Sequence, residues 1–210
     1  MTLLYKLTEN NNYTRYHTMW GENITHCVDE SYPGTELCTN QVIHAYEHPV
    51  IAVLMDPVHA QFGQPLLWEA EGEVIVREGQ LKCGVKKLTT VRQIALPRFT
   101  RQQRQEIMIR CALKVYRMTA FTKWAKRWLD GSDRSRESAV AAGVEHEIKT
   151  PPTTYLLGRY TLESVFMVDG YTINTNIAKS IEQASKLSGH TLDVIKIVEQ
   201  VLKSTKAKRK

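Results

Sequence analysis

Glu69, Glu71 and Glu73 alternate along residues 66–76, a stretch that reads as a β-strand, so the three carboxylates share one face. Like charges spaced about 7 Å apart repel, and that repulsion lifts one carboxylate toward the range of a general acid or base. The plainer reading is an antiparallel strand with its polar face in water. A second group is made of imidazoles and thiols: five of the seven histidines (His17, His26, His44, His48 and His59) lie near Cys27 and Cys38. These are zinc-ligand types, but the interval between Cys27 and Cys38 has no zinc-module form, so the histidines read as ordinary hydrogen-bonding groups and no metal or other cofactor is expected. The four cysteines, Cys27, Cys38, Cys83 and Cys111, are expected as free thiols.

The third group is basic and aromatic. Residues 101–129 contain no Gly or Pro and read as one long helix, bent at most once. At about 100° per residue, Ile107, Cys111, Val115, Met118, Ala125 and Leu129 form an apolar stripe expected to pack on the strand layer. Arg110, Lys114 and Arg117 fall within about 60° of one another, and Phe121, Trp124 and Trp128 extend that flank. Guanidinium and ammonium groups pair phosphates, and tryptophan faces stack bases. The expected nucleic-acid-binding set is therefore Arg110, Lys114, Arg117, Trp124, Lys126 and Arg127, joined by the tail residues Lys206, Lys208, Arg209 and Lys210. The competing reading puts the aromatics in the buried face, with basic stems lying over them.

Charge supports a basic surface. Residues 1–81 hold 3 Lys/Arg against 11 Asp/Glu, residues 82–136 hold 15 against 3, and residues 137–210 hold 10 against 8, within a net charge of +6. A swing of that size points to an anionic partner, either nucleic acid or an acidic protein, or else to neutralisation between the segments themselves. At 42% apolar and 24% charged residues, the chain is not wholesale disordered. Its longest apolar run, residues 50–55, is six residues, far short of the roughly 20 needed for a membrane span. The N-terminus lacks the basic and apolar regions of a signal peptide, so a cytoplasmic location is expected and the Asn23-Ile24-Thr25 sequon goes unused. No phosphate-binding glycine loop, nucleophile elbow or dinucleotide turn is present.

The elements that must position these groups are strands over most of the first hundred residues and helices thereafter. Residues 3–7, 13–20, 23–28, 42–46, 66–76 and 85–96 read as strands. Pro49 opens a short helix over 50–55, stopped by Asp56-Pro57. Thr100 and Gln103 form a capping box ahead of the long helix. A polar stretch at 131–138, a short helix over 138–148 and Pro151-Pro152 set off the C-terminal part of the chain, in which 155–168 fits strand or helix equally. Thr175 to Leu187, a Ser188-Gly189-His190 turn and a helix over 192–202 capped by Thr191 make a helical hairpin. The expected architecture is α+β: a mostly antiparallel sheet packed by one long helix in residues 1–136, a linker with a short helix in 137–152, and a smaller helical module with a basic tail in 153–210.

Three resemblances bear on function. Glu-x-Glu on a strand resembles the arrangement in ADP-ribosyltransferases, which implies NAD as substrate, with Glu71 or Glu73 acting and His17 or Arg15 and Tyr46 as companions. The order Ile177-Ala178, Ile181, Leu187-Ser188-Gly189, Val194, Val198, Val201-Leu202 resembles the helical hairpin of HU-type histone-like proteins, without the β-arms that grip DNA. The stretches from Glu36 to Pro49, Leu67 to Glu73 and Leu81 to Ile94, with Cys111-Ala-Leu and Trp124-Ala, resemble a family of small accessory proteins of tailed phages and prophages. That family carries no settled activity. The resemblance implies a non-catalytic accessory protein working in the host bacterial cytoplasm on nucleic acid or a host nucleoprotein or protein target. The basic flank leads this reading, and the NAD-consuming enzyme is the alternative.

Overall fold

The computed structural model describes residues 1–149 and 152–207. The chain divides into two compact units, residues 1–98 and 99–210.

The first unit is built on a long hairpin. Strands β6 (Leu66–Glu78) and β7 (Lys82–Ile94) pair antiparallel through a tight turn at Gly79, where φ is +53°. Apolar and small residues alternate with charged ones along β6, which is why Trp68, Ala70 and Gly72 are buried while Glu71, Glu73 and Arg77 face out. Strand β1 (Thr2–Thr8) adds to the free edge of β6, while β4 (Ile24–Cys27) and β5 (Ile43–Ala45) pair with successive parts of β7. Three register shifts along β6–β7 bend the hairpin, as bulges do. The bend lets Tyr46, just beyond β5, bond back to β1: Tyr5 N–H donates to the Tyr46 carbonyl at 2.8 Å and Tyr46 N–H to the Tyr5 carbonyl at 2.9 Å. The ring β1–β6–β7–β5 thus closes into a small barrel around Leu4, Trp20, Ala45, Ala70, Cys83, Val85 and Leu88. Two short strands, β2 (Tyr13–Thr14) and β3 (Thr18–Met19), flank a single 3-10 turn.

The closure demands a glycine. A Cβ on Gly84 would lie 2.8 Å from Val76 Cγ1 and 2.9 Å from Val42 Cβ, whereas one on Gly63 would meet nothing within 4 Å. Gly84→Ala is expected to cost about 1–3 kcal/mol through overpacking. Gly63→Ala should leave the urea midpoint close to wild type. Equal midpoints for the two variants would contradict the close approach of β5 and β7.

Helix α1 (Pro49–His59) is longer than the expected 50–55 and runs through Asp56-Pro57. Pro57 removes only one intrahelical donor near the end of the helix, and the Asp56 carbonyl accepts from both Ala60 N–H and Gln61 N–H to finish it. Val50, Ile51, Ala52, Leu54 and Met55 are all buried.

The second unit is helical. Helix α2 (Arg101–Val115) opens on the expected capping box, Thr100 Oγ1 accepting from Gln103 N–H while Gln103 Oε1 accepts from Thr100 N–H. It is followed by α3 (Thr119–Asp130), α4 (Arg136–Lys149), α5 (Pro152–Phe166), α6 (Gly170–Leu187) and α7 (Val194–Ala207). The α+β class therefore stands, with two corrections. The single helix over 101–129 is two helices: Tyr116 and Met118 take extended backbone, and Tyr116 turns its buried ring edge-on to Phe121 at 4.7 Å. Moreover α2 belongs with the helices after it, not with the sheet, because its buried face meets α5, α6 and α7. Gln105 Nε2 donates to the Ser164 carbonyl at 2.9 Å, and Ser164 Oγ donates to Met108 Sδ at 3.1 Å. The boundary accordingly falls after Arg98 rather than at 136, and α4 is an integral helix of the second unit rather than a linker. The ambiguous 155–168 stretch is helical, joined to α6 by Thr161 and Ser180, whose hydroxyls lie 2.7 Å apart. Helix α7 is capped by Asp193, which accepts from Lys196 N–H at 3.0 Å, not by Thr191. Among the described residues, no helix is long and apolar enough to cross a membrane.

Candidate nucleic-acid interface

Helix α3 sorts its residues sharply. Phe121, Trp124, Ala125 and Trp128, spaced i, i+3, i+4, i+7, are all buried, and burying each large apolar side chain contributes roughly 1.5–3 kcal/mol. The opposite face carries Lys123, Lys126 and Arg127, all exposed. The helix ends at Gly131, whose φ of +88° is the left-handed geometry a side chain would strain, and whose N–H caps the Arg127 carbonyl at 3.1 Å. Arg127 Nε lies 3.7 Å from Asp133 Oδ2, a half-exposed pair that leaves the guanidinium available to a stronger anion. On α2, Arg110 is held by Glu106 at 2.7 Å, while Lys114 stands exposed one turn on. Arg117, exposed in the break between the helices, donates to the Lys114 carbonyl at 3.2 Å.

The expected residues therefore separate. Lys114, Arg117, Lys126 and Arg127 are exposed cations, and Arg110 is a cation already paired. Trp124 is corrected: it is 1% exposed, so no base can stack on its face. Phe121 and Trp128 are buried with it, and Trp128 is further covered by the Arg134 guanidinium, 4.9 Å from its ring. The aromatic flank is core because the break at 116–118 rephases α3 relative to α2. Lys206 falls in α7 but its side chain, like Lys208, Arg209 and Lys210, lies outside the described residues. Sequence reasoning passed over Lys123, although its three- and four-residue intervals to Lys126 and Arg127 mark one helix face. Residues 99–136 hold ten Lys/Arg against three Asp/Glu. Glu106 and Asp133 are engaged by Arg110 and Arg127.

The first unit arranges its chemistry differently. Glu69 accepts two bonds from Arg92, at 2.6 and 3.0 Å, and Glu71 and Glu73 are exposed. Tyr46 is buried, its ring stacked on His59 and its hydroxyl 3.5 Å from His59 Nδ1, and Arg15 and His17 sit exposed in the 3-10 turn. Among the described residues no hydrogen bond or ion pair joins Tyr46, Arg15 or His17 to Glu71 or Glu73. The histidines serve locally: His48 Nδ1 caps α1, His26 Nε2 meets the Met19 carbonyl at 2.7 Å, and His44 Nε2 accepts from Cys38 N–H at 2.8 Å. Among the described residues no three His, Cys, Asp or Glu side chains gather as a metal site would require. Burial pushes the thiols of Cys83 and Cys111 up to about 12, which makes both inert, whereas Cys27 and Cys38 are exposed. Burial also draws the half-buried Lys6 ammonium down to about 8. Lys6 donates to the His44 carbonyl at 2.8 Å and sits 5.1 Å from the Trp20 ring centroid.

Fold and surface together define a two-unit α+β protein, a small closed barrel and a helical unit, with exposed cations grouped on α2, α3 and the break between them. Comparisons with protein-family models, with curated proteins and with solved structures return no match to this chain.

Proposed function

We propose that the protein binds nucleic acid through the phosphate backbone, using Lys114, Arg117, Lys123, Lys126 and Arg127. The observation that carries the reading is the solvent face of α3: cations at i, i+3 and i+4 face out opposite a buried aromatic face, and two more are exposed at the end of α2 and in the break that precedes α3. Charge is divided in the same sense, with 8 Lys/Arg against 11 Asp/Glu in residues 1–98 and 20 against 11 in residues 99–210. Contacts of this kind fix position and supply affinity without reading bases, so binding is sequence-tolerant and strongly salt-dependent. Burial of the tryptophans supports a backbone mode over a stacking mode. The resemblance to phage accessory proteins agrees with a partner that is DNA, RNA or a nucleoprotein assembly in a bacterial host.

Replacing Lys114, Arg117, Lys123 and Lys126 by alanine tests this. Each side chain is exposed, so the fold should hold, with a circular dichroism melt like wild type. Binding to a labelled duplex at 50 mM salt should weaken by at least about tenfold, and the log–log salt slope should flatten by about 0.9 per contact removed. A folded variant with wild-type affinity and slope would remove this face from the account.

A further inference from the structure

A second chemical site lies in the first unit, at the loop that follows β4. Cys38 is exposed, and its sulfur receives a hydrogen bond from Lys82 Nζ at 3.0 Å. Lys82 itself is well buried, its side chain 10% exposed, and its ammonium also meets Glu78 Oε2 at 3.0 Å. A solvent-accessible thiol thus touches a shielded ammonium that a carboxylate also holds.

The loop is built to hold this contact. Cys38 adopts φ of +65°, left-handed geometry that a non-glycine residue keeps only when its surroundings impose it. His44 Nε2 accepts from Cys38 N–H at 2.8 Å, Thr39 Oγ1 donates to the Glu36 carbonyl at 2.7 Å, and Glu36 N–H donates to Gln41 Oε1 at 2.9 Å. The Lys86 ammonium, reaching from β7, donates to the carbonyls of Tyr32, Gly34 and Gln41. The loop is therefore tied to the same strand that carries Lys82.

We infer that Cys38 and Lys82 form a peroxide-driven sulfur–nitrogen crosslink. The thiolate is the form that peroxides oxidise, and the Cys38 sulfur is both exposed to them and in contact with Lys82 Nζ. Cys38 thiolate attacks a peroxide oxygen, the O–O bond breaks, and sulfenic acid forms with release of hydroxide. The Lys82 ammonium gives its proton to the hydroxide just released, which leaves as the first water, and the freed amine attacks the sulfenic sulfur, so that an S–N bond forms as the S–O bond breaks. The departing hydroxide recovers a proton and leaves as water. In balance, one thiol, one amine and one hydrogen peroxide give the S–N link and two waters: sulfur is oxidised by two electrons and the peroxide is reduced by two. Burial opposes the charge on Lys82, and Cys38 and Glu78 outweigh it, raising its pKa above the ordinary value. The hydroxide released at the sulfur is a strong enough base to take that proton. The crosslink would fasten loop 29–42 to β7 covalently.

The test is peroxide titration of the full chain, read by intact mass and by peptide mapping. The expected result is a loss of about 2 Da, the two hydrogens of the new bond, with the Cys38 and Lys82 peptides joined and dithiothreitol restoring the original mass. Lys82→Arg keeps the positive charge beside Glu78 but supplies a poor nucleophile. That variant should instead gain oxygen at Cys38 without any link, which separates the crosslink from simple thiol oxidation. Oxygen addition at Cys38 in the wild-type chain with no joined peptide would overturn the inference, as would a joined peptide that retains oxygen.

Discussion

Trp124→Ala is expected to lower the stability of the helical unit by about 3–5 kcal/mol, the usual cost of deleting a buried aromatic. Trp124 is 1% exposed, lies 5.5 Å from the Phe121 ring centroid, and anchors the face on which α3 packs. Among the described residues its indole N–H has no hydrogen-bond partner, so the loss is one of packing and not of a polar contact. Urea denaturation of the variant measures it. The same burial governs how binding affects fluorescence. The four tryptophans, Trp20, Trp68, Trp124 and Trp128, are between 1% and 5% exposed, so saturating nucleic acid should leave their emission unquenched. A stacking tryptophan would be quenched, and its alanine variant would lose about 1–3 kcal/mol of binding per base while remaining folded.

Stability should climb with pH in two separate steps. Burial, then Lys6, Lys82 and Arg15, draw the His44 imidazole down to about 4, with Glu78 opposing. Burial alone draws Lys6 down to about 8, with Cys83 opposing. Both groups are bases whose folded pKa lies below the unfolded one, so in each window the unfolded chain holds the extra proton and stability rises with pH. For His44 the window runs from about pH 4 to the ordinary 6.5, and because solvent screens its exposed edge, acidification through it should remove stability on the order of 1–2 kcal/mol. For Lys6 it runs from about pH 8 to the ordinary 10.5, with a gain of similar size on the alkaline side. Lys6→Met removes this half-buried charge. It should abolish the alkaline rise and make the barrel more stable at pH 7. Urea midpoints from pH 4 to 10.5 test both limbs, and an alkaline rise that survives in Lys6→Met would contradict the assignment.

Much of the barrel unit is legible along the chain, because its signals are local. The alternation from Leu66 to Val76, the Gly79 turn and the strand expected over 85–96 lie close to the observed Leu66–Glu78 and Lys82–Ile94, and the Thr100–Gln103 capping box marks the start of α2 within one residue. The features that stay hidden depend on distant partners. Tyr46 closes the barrel by bonding to Tyr5, a pairing that no period along the sequence announces. The break at Tyr116–Met118 contains neither Gly nor Pro. It exists because Tyr116 packs on Phe121, and once it exists the helical wheel drawn through 101–129 no longer predicts which face α3 buries. That one local change moves Trp124 from a candidate surface to the core, while Lys126 and Arg127 remain exposed and Lys123 joins them. Residues 155–168 are ambiguous in sequence for a related reason: the buried Thr161 and Ser164 interrupt the apolar pattern, and their hydroxyls are satisfied by α5's own carbonyls, Ser180 and Met108.

The central claim is that the exposed cations of α2, α3 and the break between them neutralise phosphates. Its most direct test is the salt dependence of binding by the unaltered chain to labelled duplex DNA, single-stranded DNA and RNA, from 50 to 200 mM salt. The account predicts binding on at least one of the three with little sequence preference and a log–log slope of roughly −3 to −5 on duplex, as four or five phosphate contacts would give. No binding to any of them at the lowest salt, or binding whose slope is near zero, would contradict it.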